Sequence, residues 1–312
     1  MRKFKIISSF LFLTGTILFF SSCEKDITVD LPHRENKPVV EGFIETGQFP
    51  YLVLTRNFSF FDKNASFKGF SDLLIHDADV KVFVGEKAYP MEEYCLSTLP
   101  VAFRPLIKEF LGIELDSLPA NFDYCIYLNT ELRGELGKRY RLEIHTDSSF
   151  LESSTVLPPV PPIDSLWAMP DTSRGENLYW LWCRFREPDT LGNFYRYFTK
   201  RNSEPFYPNY FRSVIDDQFA NGQLFTFILE RGYPRNSNID FNTYGLFEAG
   251  DTVVVKIAMI DHDHYRFWET IEDQWRSGGP YATPTYVQSN VQGGLGIWGG
   301  YSPTYDTIII PR

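Results

Sequence analysis

Asp261, His262, Asp263 and His264 are four consecutive residues whose side chains can ligate a metal. Asp261, Asp263 and Glu272 occupy positions 1, 3 and 12 of a calcium-loop register. Positions 5 and 6 are Tyr265 and Arg266, where such a loop needs an oxygen ligand and a glycine. The run also opens a stretch of helical periodicity, and on a helix residues i and i+2 point apart. Acids in a first turn are what the helix dipole favours. The reading is therefore a capped helix, with no metal assigned. Gly294-Leu295-Gly296-Ile297-Trp298-Gly299 matches the letters of the dinucleotide fingerprint, but only 13 residues follow it and they alternate like a strand. These glycines are expected to permit a bulge or a close backbone approach beside Trp298. No G-x-S-x-G, H-E-x-x-H or P-loop occurs, and His33, His76 and His145 lie in tether or strand contexts. Only carboxylates that meet in space could supply hydrolytic chemistry. No catalytic residue and no cofactor is assigned.

The thiols and the rings are more informative. Arg2, Lys3 and Lys5 precede an uncharged apolar run, Ile6 to Phe20, and Ser21-Ser22-Cys23 follows. As a helix that run spans about 22 Å, short of a bilayer core, which fits a cleaved signal over residues 1–22. Small residues before a cysteine form a lipobox, so Cys23 is the expected acylation site and the membrane anchor. Residues 23–37 then form a tether. Its Glu24-Lys25-Asp26 reads either as a signal for export to the outer cell face or as a plain solvated spacer. Cys95 and Cys125 flank a helical excursion marked by Phe103, Leu106, Ile107, Phe110 and Leu111, with Gly112 as a stop. They are either bonded at its base or two buried thiols. Cys183 shares a strand face with Tyr179, Leu181 and Phe185 and is expected to be a buried free thiol. Phe206, Tyr207, Tyr210, Phe211 and Tyr233 lie in loops rich in Pro and Asn. With Trp298 they form a candidate binding surface, or else a lid folded over the core.

These side chains need a frame, and the composition says which kind. The 312 residues include 28 Phe, 18 Tyr and 6 Trp, which excludes a disordered chain. After loss of the signal, 27 basic residues face 40 acidic ones, so nucleic acid is not an expected partner. Strand-like runs dominate: Val39–Ile44, Tyr51–Leu54, Val80–Val84, Tyr140–His145, Leu178–Phe185, Phe194–Thr199, Leu224–Glu230, Thr252–Ile260, Tyr286–Val291 and Tyr305–Ile310. One helix is expected after Asp261 or Asp263, with Trp268, Ile271 and Trp275 on its inner face and Ser277-Gly278-Gly279-Pro280 as its end. Helices do not alternate with strands, so the fold class is all-β. Two sandwich-like domains of immunoglobulin or transthyretin type are expected, at residues 38–157 and 164–312. The first carries a short helical insertion and the second one helix. The prolines of residues 158–163 form a stiff connector between them.

Several of these pieces occur together in one order. Cys23 with its acids, Val39-Val40-Glu41-Gly42-Phe43-Ile44, Leu157-Pro158-Pro159-Val160-Pro161-Pro162-Ile163-Asp164-Ser165-Leu166 and Gly293-Gly294-Leu295-Gly296-Ile297-Trp298-Gly299-Gly300-Tyr301-Ser302 follow one another along the chain. In this the chain resembles the Bacteroidota lipoprotein family catalogued as domain of unknown function 4249. The resemblance covers nearly the whole mature chain and implies a lipid-anchored outer-membrane protein. It also implies a non-enzymatic role as accessory to a TonB-dependent transporter in uptake. It carries over no catalytic residues. Two other readings remain open: a surface lipoprotein binding glycan or peptide, and a hydrolase with an unrecognised carboxylate site.

Overall fold

The computed structural model describes residues 37–57, 70–98, 123–218, 220–234, 237–277 and 286–312. The expected signal, Cys23, the expected tether to residue 36, the expected helical excursion around Phe103–Gly112 and the expected stop at Gly278-Gly279-Pro280 all lie outside the described residues.

The chain is mostly strand, in two sheets, with one α-helix among the described residues. The first half supplies β1 (Pro38–Glu45), β2 (Tyr51–Arg56), β3 (Asp79–Val84), β4 (Lys87–Cys95), β5 (Cys125–Leu128), β6 (Arg139–His145) and β7 (Phe150–Val156). After the prolines come β8 (Ile163–Pro170), β9 (Leu178–Arg186), β10 (Phe194–Arg201), β11 (Tyr207–Pro208), β12 (Val214–Asp216), β13 (Leu224–Leu229), β14 (Phe247–Glu248) and β15 (Thr252–Ile260). Helix α1 (His262–Arg276) and β16 (Leu295–Ile309) complete the fold. The larger sheet has twelve strands and runs β11-β10-β15-β16-β1-β2-β5-β4-β3-β6-β7, with β12 on β10. In the smaller sheet β9 is flanked by β8 on one side and by β13 and β14 on the other.

Alternation explains two separate cores. Val40 and Ile44 of β1, Leu52 and Leu54 of β2, Leu142 and Ile144 of β6 and Leu151 of β7 point into the first, which the larger sheet closes by curling until β7 returns to β16. Leu181, Cys183 and Phe185 of β9 face Tyr195 and Tyr197 of β10 and Val253, Val255 and Ile257 of β15 in the second. The prolines at 158–163 lie between β7 and β8, outside both sheets. They separate the cores but not the hydrogen bonding, because β16 crosses from one half to the other. Its first part, Leu295 to Tyr301, pairs in parallel with β1, and its second, Ser302 to Ile309, pairs antiparallel with β15. The other strand pairs described are antiparallel.

The glycines of the Gly293–Gly300 run make this crossing fit. A Cβ on Gly296, whose φ is +102°, would lie 1.9 Å from the Val40 carbonyl oxygen. One on Gly299 would lie 2.5 Å from the His264 ring. The edge of β16 that β15 has not yet reached is satisfied by side chains. Asn290 accepts from Trp298 N (2.9 Å) and donates to Trp298 O (2.7 Å), while Thr155 Oγ1 accepts from Gly300 N (2.7 Å). This corrects the expected strand at Tyr286–Val291: the segment is not a strand, and from it the Asn290 amide substitutes for a ladder partner at Trp298.

Helix α1 is capped by Asp261, which accepts from His264 N at 2.9 Å and ties the helix to β7 through Thr155 Oγ1 and Val156 N. Its inner face is Tyr265 and Phe267, with Trp268 and Ile271 packed beside them on Phe43, Ile297 and Tyr301. Trp275 is 48% exposed, which corrects its expected place on that inner face. Buried Glu272 accepts from both Ser213 N and Oγ, and Arg196 donates to Ser213 Oγ and to the Tyr301 hydroxyl. Arg196 also lies 3.4 Å from the centre of the Trp268 ring. A buried cation is thus held by hydrogen bonds and by a ring face.

Candidate functional site

The Asp261–His264 run does not converge on a point. Asp261 is consumed by the cap, His262 and Asp263 are exposed together, and His264 is fully buried with Nδ1 bonded to the Gly300 carbonyl at 3.1 Å. Burial, with Arg196 adding to it, lowers the His264 pKa to about 3, so the ring is neutral and structural. Cys183 is buried and free, and desolvation raises its thiol to about 12. Cys95 and Cys125 are joined in a disulfide between neighbouring strands β4 and β5.

The loop rings are divided between two places. Asn209, almost fully buried, organises the first. Its Oδ1 accepts from Phe211 N and Arg212 N, turning the chain after β11, and its Nδ2 donates to Glu230 at 2.5 Å. Tyr244 donates to the same Glu230 carboxylate at 3.0 Å, and burial followed by that charge raises its hydroxyl pKa. Gly232 bridges to Asn209, with a Cβ position only 2.0 Å from the Tyr207 carbonyl oxygen, so no larger residue fits there. On this base Phe211 meets Tyr210 (5.2 Å), Tyr244 (5.2 Å) and Phe241 (6.3 Å, stacked), and Tyr233 stacks on Tyr244 at 5.8 Å. Phe241 is 69% exposed and the other four rings are half-buried. Arg231 lies over Tyr233. Phe206 is elsewhere, against Tyr305 and below Lys200. There Glu45 accepts from the Tyr305 hydroxyl and pairs with Lys256.

Tyr210, Phe211 and Tyr233 therefore come together, while Phe206 does not join them. Tyr207 is the β11 residue opposite Thr199 and contributes backbone to the base. Trp298 is corrected: it is fully buried in the first core, where Nε1 donates to the Tyr140 carbonyl at 3.0 Å, and it belongs to no surface. The glycines around it mark strand β16 rather than an exposed loop. Phe241 and Tyr244 were not identified from sequence. Asn242 and Gly245 beside them are turn signals, but nothing local says that this turn meets the one after Tyr207.

Two acids also meet. Glu187 and Asp217 are both buried and line a cleft with Phe185, Tyr195, Phe225 and Ile257. Asn193 donates to both, and Tyr195 donates to Glu187 at 2.7 Å. Desolvation, partly offset by these bonds, raises the Glu187 carboxyl above its ordinary range. Each acid is bound within the protein, and the cleft walls are mainly apolar.

Two sandwich-like cores that share a sheet, with one helix packed on them and a cluster of stacked loop rings, define an all-β, sandwich-like protein. A family model described as Domain of unknown function (DUF4249) matches residues 24–307, and the chain belongs to that family. Comparison with curated proteins finds no match.

Proposed function

We propose that the chain is a non-enzymatic outer-membrane lipoprotein, anchored through acyl groups on Cys23, that assists a TonB-dependent transporter in nutrient uptake. The observation that carries this reading is at the N-terminus: a charged and then apolar leader ends in Ser21-Ser22-Cys23, and the family match begins at the next residue, Glu24. The rings of Tyr210, Phe211, Tyr233, Phe241 and Tyr244 support a contact role, since half-exposed rings on a rigid base are typical interface anchors.

The test is purification in mild detergent with identification of what accompanies the protein. Wild type should bring down a TonB-dependent receptor. Phe211→Ala with Phe241→Ala should weaken that association by about thirtyfold, from about 2 kcal/mol lost at an anchor. The melting temperature should stay within a few degrees. A wild type that co-purifies with no membrane protein overturns the reading. Cys23→Ala should release the protein from the membrane fraction, and unchanged fractionation would count against the anchor.

A second reading is a surface lipoprotein binding glycan or peptide. It is favoured by the stacked pair Phe211 and Phe241, whose exposed face could take a sugar ring. Ligand binding that survives without the receptor, and is lost in the same double variant, would select it.

A further inference from the structure

The Cys95–Cys125 bond lies beside two other groups that ligate metals. Glu93 and Cys95 are two apart on β4 and share its face. Cys125 is directly opposite Cys95 on β5, and His76 reaches in from the turn before β3. One ligand atom from each of His76, Glu93, Cys95 and Cys125 lies within 4.8 Å of all the others. Glu93 Oε1 is the hub, 2.5 Å from His76 Nδ1 and 3.8 Å from Cys95 Sγ.

The residues that support this cluster hold it through bonds that do not involve the sulfurs. The Tyr127 hydroxyl accepts from Ala78 N and donates to the Ile75 carbonyl, pinning both ends of the turn that carries His76. Asp77, at φ 57°, bends the turn, and its N–H donates to Glu93 Oε2 at 3.0 Å, leaving Oε1 to the cluster. Ladder pairing from Glu92↔Leu128 to Cys95↔Cys125 keeps the two cysteines adjacent. Such outer bonds orient ligands at metal sites.

We propose that reduction of the Cys95–Cys125 disulfide creates a zinc site of two thiolates, the His76 imidazole and the Glu93 carboxylate. In the oxidised protein the sulfurs are committed to each other and are poor ligands. A dithiol reductant opens the bond by attack on the half-buried Cys95 sulfur, which forms a mixed disulfide and frees the Cys125 thiolate. The second reductant thiol then displaces Cys95. Two electrons and two protons pass from the dithiol to the protein, and the reductant leaves as its cyclic disulfide. Zn²⁺ replaces the two thiol protons, which go to solvent. Two sulfurs, one nitrogen and one oxygen form a tetrahedral set suited to zinc, with ligand atoms about 3.3–3.8 Å apart for bonds of 2.0–2.3 Å. From the present arrangement the two sulfurs must separate and the widest pairs must close by about 1 Å.

The test uses the full-length protein in detergent, reduced anaerobically with a dithiol, desalted and titrated with Co²⁺. One equivalent should produce thiolate-to-cobalt charge-transfer bands and intense tetrahedral visible bands, both abolished by Zn²⁺. The oxidised protein should show neither. His76→Ala and Glu93→Gln should each weaken binding by about tenfold or more. X-ray absorption on the zinc-loaded wild type should show two sulfur and two nitrogen or oxygen neighbours. If reduction unfolds the protein, one equivalent of Zn²⁺ should restore its near-ultraviolet circular dichroism. The proposal is overturned if the reduced wild type binds no cobalt or is not refolded by zinc. It is equally overturned if both variants bind as tightly as wild type, or if the first shell lacks two sulfurs.

Discussion

Gly299→Ala tests the idea that the β16 glycines exist to seat helix α1. The Gly299 backbone lies outside the left-handed region, so an alanine brings steric cost without torsional strain. Its Cβ would stand 2.5 Å from His264 Cε1 and 2.7 Å from both ring nitrogens, against an ordinary contact of about 3.4–4 Å. The ring has nowhere to go: it packs edge-on to Tyr301 at 4.6 Å, lies 5.9 Å from Phe43 and is bonded to the Gly300 carbonyl. Overpacking at such a site costs about 2–3 kcal/mol. At roughly 2 °C per kcal/mol, toward the larger end of single domains, the melting temperature should fall by about 4–6 °C. The decisive assay is a double-mutant cycle with His264→Ala, read by chemical denaturation. With the ring removed, Gly299→Ala should cost under about 0.5 kcal/mol, giving a coupling of about 2 kcal/mol. An equal cost in both backgrounds, or no cost in wild type, would refute the steric argument.

The folded protein holds His264 neutral down to about pH 3 while the unfolded chain protonates it near pH 6.5, so stability should be lost as pH falls through that window. The slope from this residue is up to about 1.4 kcal/mol per pH unit, and His264→Ala should flatten urea midpoints measured across the range. Replacing Cys95 and Cys125 together by Ser opens a loop of 30-residue separation and should cost about 3–4 kcal/mol in denaturant unfolding. A loss under about 1 kcal/mol would show that the ladder alone suffices. Cys183 should resist iodoacetamide in the native protein and react after unfolding, and rapid native labelling would contradict its burial in the second core.

Much of this fold can be read locally. Thr252–Ile260 alternates between the second core and the helix side and is strand β15 to the residue. Asp261 as cap and the prolines as a connector follow from backbone chemistry alone. What stays hidden is long-range. β4, with its charges and Pro90, does not look like a strand, and it becomes one because β3 and β5 flank it. The pairing of Val39 with Leu295 leaves no periodic trace, so the two cores read as two separate sandwich-like domains. Trp298 looked exposed because five glycines surround it in Gly293–Gly300, a composition typical of loops. Those same glycines instead let neighbouring backbone and rings approach closely enough to bury it. Of the candidate surface, three rings could be named from their loops, while Phe241 and Tyr244 depend on which turns fold together.

The crossing of β16 between partners also sets an order of events for a chain made from its N-terminus. Val39 has to wait for Leu295, 256 positions later, before that edge of β1 is paired. Trp298 completes the first core, and Ile308 and Ile310 close the second, so both cores need residues from the same late segment of the chain. Until then the emerging chain carries one long unpaired edge and two open apolar faces, the condition in which strands pair with the wrong neighbour. A chain cut short before Leu295 would lack the strand that pairs with both β1 and β15, so the last eighteen described residues complete both halves at once.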